Sequence, residues 1–423
     1  MKRTILILGL LLFTSIPASA QSDLSNDMRS TGFISDRLDR IDAAINAEIS
    51  AGKIPGGVAL VIKDGEVAYL KSFGLADVDS QTPMQNDHIF RIASMTKAIT
   101  SVAVMILYEQ GHFQLNDSVG DYIPLFAEMT VVSAVDSDGN VSATEAATKP
   151  IKIIDLLTHT SGIGYPFIAS SVQKSYVDAG IIDGVTARKM TLASQMEILA
   201  KQPLMFEPGS QFGYGLSTDL LGYLVEVISG QSLEQFFAEE IFAPLDMQDS
   251  YFYLPEKKAG RLATLYADGG ERGLIVSKGD ESSIILDDPL YPVAGARTYF
   301  SGGAGLSCTA SDYGRFLQML LNDGTLDGKR ILGRKSVELM RAARVDWDGD
   351  EVPDMALGFQ VIADIGEKGE IGSVGAYSWG GAFNTSYWID PSEHLVGVFM
   401  SQVRPVDSDI RAKFSTAVYQ ALE

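Results

Sequence analysis

Ser94 and Lys97 stand three residues apart in Arg91-Ile92-Ala93-Ser94-Met95-Thr96-Lys97, and Val102, Ala103, Val104, Ile106 and Leu107 follow in an apolar run. At helical pitch, positions i and i+3 share a face, so the serine hydroxyl and the lysine amine can meet. The pair offers nucleophilic chemistry. Burial disfavours the charged form of a lysine, and a neutral amine can take a serine's proton. A serine in the first turn also faces the positive end of the helix dipole, where developing negative charge is stabilised. The same spacing arises by chance, and an ordinary buried helix opening on a serine would read identically. Two further patches keep it company: Tyr214 in Pro208-Gly209-Ser210-Gln211-Phe212-Gly213-Tyr214-Gly215-Leu216, ahead of a helix, and Trp379-Gly380-Gly381-Ala382, ahead of a strand. Taken singly, these are a loop tyrosine packing its ring and a tryptophan filling a core.

The elements that must hold these residues are legible from periodicity. The run after Lys97 is apolar nearly all round, which marks a buried helix. An amphipathic helix is expected over Ser35–Ala51, with Leu38, Ile41, Ile45 and Ile49 on one face, Ser35 as cap and Gly52 as stop. Val58–Ile62 and Val67–Phe73 flank Lys63-Asp64-Gly65-Glu66, a hairpin signal. Met129–Pro150 reads as a hairpin excursion turning at Asp136–Asn140, and Ser217–Ile228 as a helix stopped by Gly230. Phe383–Ile389 and Leu395–Met400 read as strands about a turn at Asp390–Glu393, before a last helix from Ser408. The expected class is therefore α+β: an antiparallel sheet flanked by helices, built from about 30–93 and 297–423, with a mostly helical insertion at about 94–296. A site at that seam would gather residues far apart in the chain.

Composition narrows the function. With 423 residues, 46% hydrophobic and 21% charged, the chain can bury a large core. A net charge of −21 argues against nucleic acid and anionic membrane surfaces as partners. Met1–Ala20 has the basic start, apolar centre and Ala18-Ser19-Ala20 cleavage site of a secretory signal, so a periplasmic or secreted protein is expected. No later stretch is long and apolar enough to span a bilayer. The single cysteine, Cys308, permits no internal disulfide, and His88, His112, His159 and His394 lack metal-ligand spacing. Asp346, Asp348, Asp350 and Asp354 resemble half a calcium loop, but Glu351 stands where glycine is needed and Leu357 where a bidentate glutamate belongs. A solvated acidic turn is the simpler reading. Neither a metal nor a cofactor is expected, and oligomeric state is not legible.

Taken in order, Ser94-x-x-Lys97, Tyr214 and Trp379-Gly380-Gly381 resemble the serine β-lactamase and penicillin-binding-protein-like superfamily, in its class C branch. They are most similar to the family VIII carboxylesterases. Leu156–Gly162, Asp219–Gly222, Pro244–Met247, Gly302–Leu306 and Asp390-Pro391 add to the likeness, which spans almost the whole chain after Ala20. The resemblance implies that Ser94 is the acylated nucleophile and Lys97 the base taking its proton. It makes Tyr214 the group that shares proton handling and protonates the leaving group. The backbone N–H groups of Ser94 and Ala382 would form the oxyanion hole, with Gly380 and Gly381 letting their strand approach the substrate. His159 matches a loop-bracing position.

Two departures from the β-lactamase pattern bear on substrate. Trp379 stands where a lysine would bind a carboxylate, and Leu216 where an asparagine amide would hold an amide side chain. Together they imply an apolar cleft suited to neutral acyl groups, with Trp379, Gly380, Gly381 and Leu216 against a small-molecule ester. The expected activity is hydrolysis of short- to medium-chain carboxylic esters, with weak β-lactam turnover beside it. The alternatives are a class C-type β-lactamase or D-alanyl-D-alanine carboxypeptidase, and a catalytically idle binder of acyl or muropeptide ligands. Ala376-Tyr377-Ser378-Trp379-Gly380 approximates another hydrolase elbow, but Asp390 and His394 crowd the order that elbow requires.

Overall fold

The computed structural model describes residues 32–270, 273–277, 288, 290–369, 371–405 and 407–423, so the expected signal segment lies outside the described residues. Gly56–Lys63 (β1) and Glu66–Asp77 (β2) form the anticipated hairpin. Its two turn residues, Asp64 and Gly65, take φ of 54° and 82°, the left-handed pair that matches the twist of the flanking strands. Thr82–Pro83 (β3), Gln360–Val361 (β4), Tyr377–Gly381 (β5), Thr385–Asp390 (β6) and Leu395–Met400 (β7) complete a seven-stranded sheet. Its order is β4-β5-β6-β7-β1-β2-β3, with every neighbouring pair antiparallel. β6 starts two residues later than the apolar pattern suggests, because 382–384 turn the chain and Asn384 takes φ 65°.

β1 and β7 read as nearly continuous apolar runs because both faces of the sheet are covered. Val58, Leu60 and Ile62 point into one core with Tyr313 and Phe316 of Ala310–Leu321. Ala59 and Val61 point into the other, with Ile41 and Ile45 of one helix and Phe414 and Val418 of another. In chain order the principal helices are Ser35–Ser50 (α1), Thr96–Glu109 (α2), Ser217–Ser229 (α3), Ala310–Leu321 (α4) and Ile410–Tyr419 (α5). Each fully buried large aliphatic side chain contributes on the order of 1.5–3 kcal/mol. Ser35 does not cap α1: Ile34 holds that position without a side-chain bond, and Ser35 opens the first turn.

Between α2 and α4 the described chain alternates α3 with helices of five to eight residues, such as Ile153–Leu157 and Leu192–Leu199, and with the Thr130–Val135/Val141–Ala146 hairpin. Some apolar residues of this stretch, Ile163 and Ile181 among them, are buried from loops or turns rather than from helices. α2 is buried from Thr96 to Leu107 and packs along α3. The end of β5 abuts the turn preceding α2. These contacts bring three distant sequence patches to one place.

Candidate active site

Ser94 lies in a turn of 3₁₀ helix, Ala93–Met95, that runs directly into α2. Ala93 takes φ 43°, a left-handed conformation costing an L-residue about 1–2 kcal/mol, so the surroundings must over-determine this turn. They do so with hydrogen bonds from Ile92 N to Leu306 O (3.0 Å), from Leu306 N to Thr96 Oγ1 (3.1 Å) and from Tyr313 OH to Met95 O (2.9 Å). Ser94 itself is half-buried and reachable from solvent.

Lys97, one turn on, is 2% exposed. Its Nζ lies 3.3 Å from Ser94 Oγ, 3.1 Å from Tyr165 OH and 2.8 Å from Gly303 O, within hydrogen-bonding reach of all three. The rings of Tyr214 and Tyr165 lie 4.7 and 5.6 Å from the same nitrogen. Tyr214 OH donates to Ser94 Oγ at 2.8 Å from the loop leading into α3. That loop is pinned by Gly213 N donating to His159 O (2.8 Å) and by the His159 ring, 4.8 Å from the Tyr214 ring. Burial holds the His159 imidazole well below its usual pKa, with the Lys97 charge acting the same way, so it packs as a neutral brace. The three predicted residues therefore meet at one oxygen.

Tyr165 was not identified from sequence, and Asp219 only as part of the Asp219–Gly222 segment, with no role given to it. Burial raises the Tyr165 phenol well above its usual range, and neighbouring Tyr214 and Asp219 add to the effect. Asp219, on α3, is fully buried and receives Ser301 Oγ at 2.6 Å. Burial pushes its carboxyl up to about 6, against the opposing pull of Ser301 and Lys97. A Cβ at Gly303 would lie 2.5 Å from Asp219 Oδ2, so the turn that supplies the Lys97 acceptor sits directly on this carboxylate. The signal in sequence was an aspartate in the otherwise apolar Leu220-Leu221-Gly222-Tyr223-Leu224 helix. Tyr165, in an irregular loop, gave none.

Trp379 on β5 is half-buried, and its ring lies 5.7 Å from Tyr214 and 6.3 Å from Trp347. Trp347 in turn meets Phe212 edge-on at 5.7 Å. An aromatic wall thus continues from the Ser94 partners outward, and Trp347 belongs to it although the sequence pattern marks 346–354 only as an acidic turn. In that turn Asp346 accepts from Gly349 N and Glu351 N, and Asp350 from Val352 N. Leu216 differs from expectation. It is 0% exposed and packs in the core at the start of α3, because its N–H bonds Gly164 O and draws the side chain inward. It presents no surface to a ligand.

The β5 glycines sit in close contact with neighbouring groups. A Cβ at Gly381 would lie 2.3 Å from Ile92 O and 2.2 Å from Thr385 Oγ1. One at Gly380 would lie 2.5 Å from Arg411 Nη1. These glycines admit the Ser94 turn and a guanidinium. Among the described residues, no acceptor meets the backbone N–H of Ser94 or of Ala382.

The family model for Beta-lactamase matches residues 39–420, and the chain belongs to that family. The chain is 32% identical to Protein Rv1367c of Mycobacterium tuberculosis over 386 residues, 87% of this chain and 90% of that one. It is 31% identical to Esterase EstB of Burkholderia gladioli over 370 residues, 83% and 86% of the two. The solved structure of EstCE1, described as a hydrolase with promiscuous acyltransferase activity, superposes with a TM-score of 0.77 at 28% identity, covering 91% of this chain and 99% of that one. These relatives confirm the family VIII esterase-like character and the β-lactamase/transpeptidase fold, and they support a hydrolase or acyltransferase.

Proposed function

We propose that this chain hydrolyses neutral carboxylic esters of short to medium acyl length through an acyl-enzyme on Ser94. The observation that carries the reading is the convergence of Lys97 Nζ and Tyr214 OH on Ser94 Oγ, at 3.3 and 2.8 Å. Lys97, as the neutral amine, takes the Ser94 proton while Oγ bonds to the ester carbonyl carbon. The resulting oxyanion is received by the N–H groups of Ser94 and Ala382. Collapse breaks the bond to the alkoxide, which leaves with a proton from Tyr214, and the proton held by Lys97 then passes to the Tyr214 phenolate, so that both groups return to their starting state. Water then attacks the acyl carbonyl along the same path, releasing the acid and restoring the serine. The buried Tyr165, the half-buried Tyr214 and the Gly303 carbonyl around Lys97 fix the amine on one trajectory.

Trp379 supports an ester over a β-lactam. An anionic substrate entering beside it must shed water and meets an indole where a cation would compensate, whereas an apolar acyl chain gains on burial. A second reading, acyl transfer to an alcohol, draws on the same wall: Trp379, Trp347 and Phe212 offer an apolar acceptor more contact than water has. In this proposal the Met1–Ala20 segment exports the chain to the periplasm or beyond it.

The test is kcat/KM for p-nitrophenyl butyrate against nitrocefin on the purified chain. The ester is expected to be preferred, and Trp379→Lys to raise nitrocefin turnover about 10- to 100-fold through KM, since one charge-assisted contact is worth roughly 1.5–3 kcal/mol. A wild-type preference for nitrocefin would contradict the proposal.

A further inference from the structure

α5 projects one cation toward the end of β5. Arg411 shares a helix face with Phe414 and Val418, both buried, so the guanidinium is carried inward with them. Its Nη2 donates to Gly381 O at 2.5 Å, and Nη1 occupies the space that a Gly380 side chain would fill. Nε is buried without a partner, and among the described residues no carboxylate pairs with the group. A cation partly withdrawn from water and satisfied by a single backbone carbonyl is costly, and is retained more readily where it acts on something.

Gly381 O belongs to the same peptide unit as the Ala382 N–H. A cation bonded to the oxygen draws electron density across the amide and makes the N–H a stronger donor, since hydrogen bonds in series polarise one another. It also fixes the plane of that peptide against the Ser94 turn, where Thr385 Oγ1 donates to Ile92 O at 3.4 Å. Resting on the acyl-enzyme reading above, we propose that Arg411 is a positioning residue of the oxyanion hole. It orients and polarises the Gly381–Ala382 peptide so that the Ala382 N–H binds the charge developing on the substrate carbonyl oxygen. The guanidinium touches no reacting atom. Its effect therefore reaches any state in which the carbonyl oxygen accepts from the Ala382 N–H, and is largest where that oxygen carries charge.

Arg411→Met and Arg411→Gln in the full chain separate the contributions, because glutamine keeps a donor without the charge. Steady-state kinetics with p-nitrophenyl butyrate should show kcat reduced about 10- to 100-fold in Arg411→Met and less in Arg411→Gln, with KM within about two-fold of wild type. Infrared difference spectra of the acyl-enzyme formed with a carbonyl-¹³C ester should show the acyl carbonyl band moved to higher frequency in both variants. A merely structural role would leave that band in place. If Arg411→Met does not fold, the Arg411→Gln band and kcat decide. Normal acylation of wild type with unchanged kcat and band in the folded variant would overturn the role of Arg411 alone. So would a loss confined to the KM of carboxylate-bearing esters, which would mean direct anion contact. Absence of any acyl adduct on the wild-type chain would instead overturn the Ser94 reading, and this proposal with it.

Discussion

Lys97 and Tyr214 reach Ser94 Oγ from two sides, one as a buried amine and the other as a phenol aimed at a hydroxyl. Groups sharing one proton path fail together rather than additively. Ser94→Ala should abolish ester turnover, and Lys97→Ala and Tyr214→Phe should each lower kcat about 10³-fold or more. The double variant should be little worse than the poorer single one, as read by steady-state kinetics on folded protein. A double variant whose loss equals the product of the single losses would break the idea of a shared path. Ser94, Lys97 and Tyr214 were visible because their patches occur in an order that resembles a known family; the three-residue spacing alone arises by chance. Tyr165 was not, since a tyrosine in an irregular loop looks like any other packed ring. Arg411 was not identified from sequence: a cation on a helix face reads as an ordinary polar position, and only the fold shows which carbonyl it meets. Leu216 misled because its neighbour Tyr214 faces the cleft, while the first turn of α3 rotates Leu216 into the core.

At the level of elements, the site depends on how closely β5 approaches the Ala93–Met95 turn. Gly381→Ala would place a methyl group 2.3 Å from the Ile92 carbonyl, a backbone atom that cannot swing aside. Overpacking of this kind costs about 1–3 kcal/mol, and here it also displaces the strand carrying Ala382. A lower melting temperature together with a reduced kcat is expected. An unchanged kcat in a folded Gly381→Ala protein would show that the spacing of strand and turn does not matter to the chemistry. The β1–β2 hairpin and the strand pair β6–β7 were legible because turn chemistry and two-sided burial both leave local marks. The interval between α2 and α4 was harder to read. Its apolar residues are buried from loops and short helices by tertiary contacts, which periodicity does not report.

Across the whole molecule, burial of acidic groups sets a pH dependence of stability. Asp312 is 8% exposed, and burial pushes its carboxyl from 3.8 up to about 6 despite bonds from Asp249 N and Ser250 Oγ. The folded state therefore keeps a proton that the unfolded chain has released. The associated stability is fully present below about 3.8 and is lost as pH rises through about 6. Both bonds reach Oδ2, at 2.7 and 2.9 Å, so a single amide oxygen can accept them. Asp312→Asn should thus raise stability near neutral pH by about 1–3 kcal/mol and flatten the profile between pH 4 and 6, measured by thermal or urea unfolding. An unchanged profile would mean that Asp312 ionises as freely folded as unfolded. Asp219, held up to about 6 by the same cause, contributes with the same sign but sits beside Lys97, so its replacement would alter the site as well.

The central claim is that Ser94 is the nucleophile, and the most direct measurement is the position of a covalent adduct. The wild-type chain treated with an alkyl p-nitrophenyl phosphonate, which leaves a stable ester on an activated serine, can be digested and mapped by mass spectrometry. The adduct is predicted on the peptide containing Ser94, at one equivalent, and absent from Ser94→Ala. An adduct on Ser378, or ester turnover retained by Ser94→Ala, would contradict it.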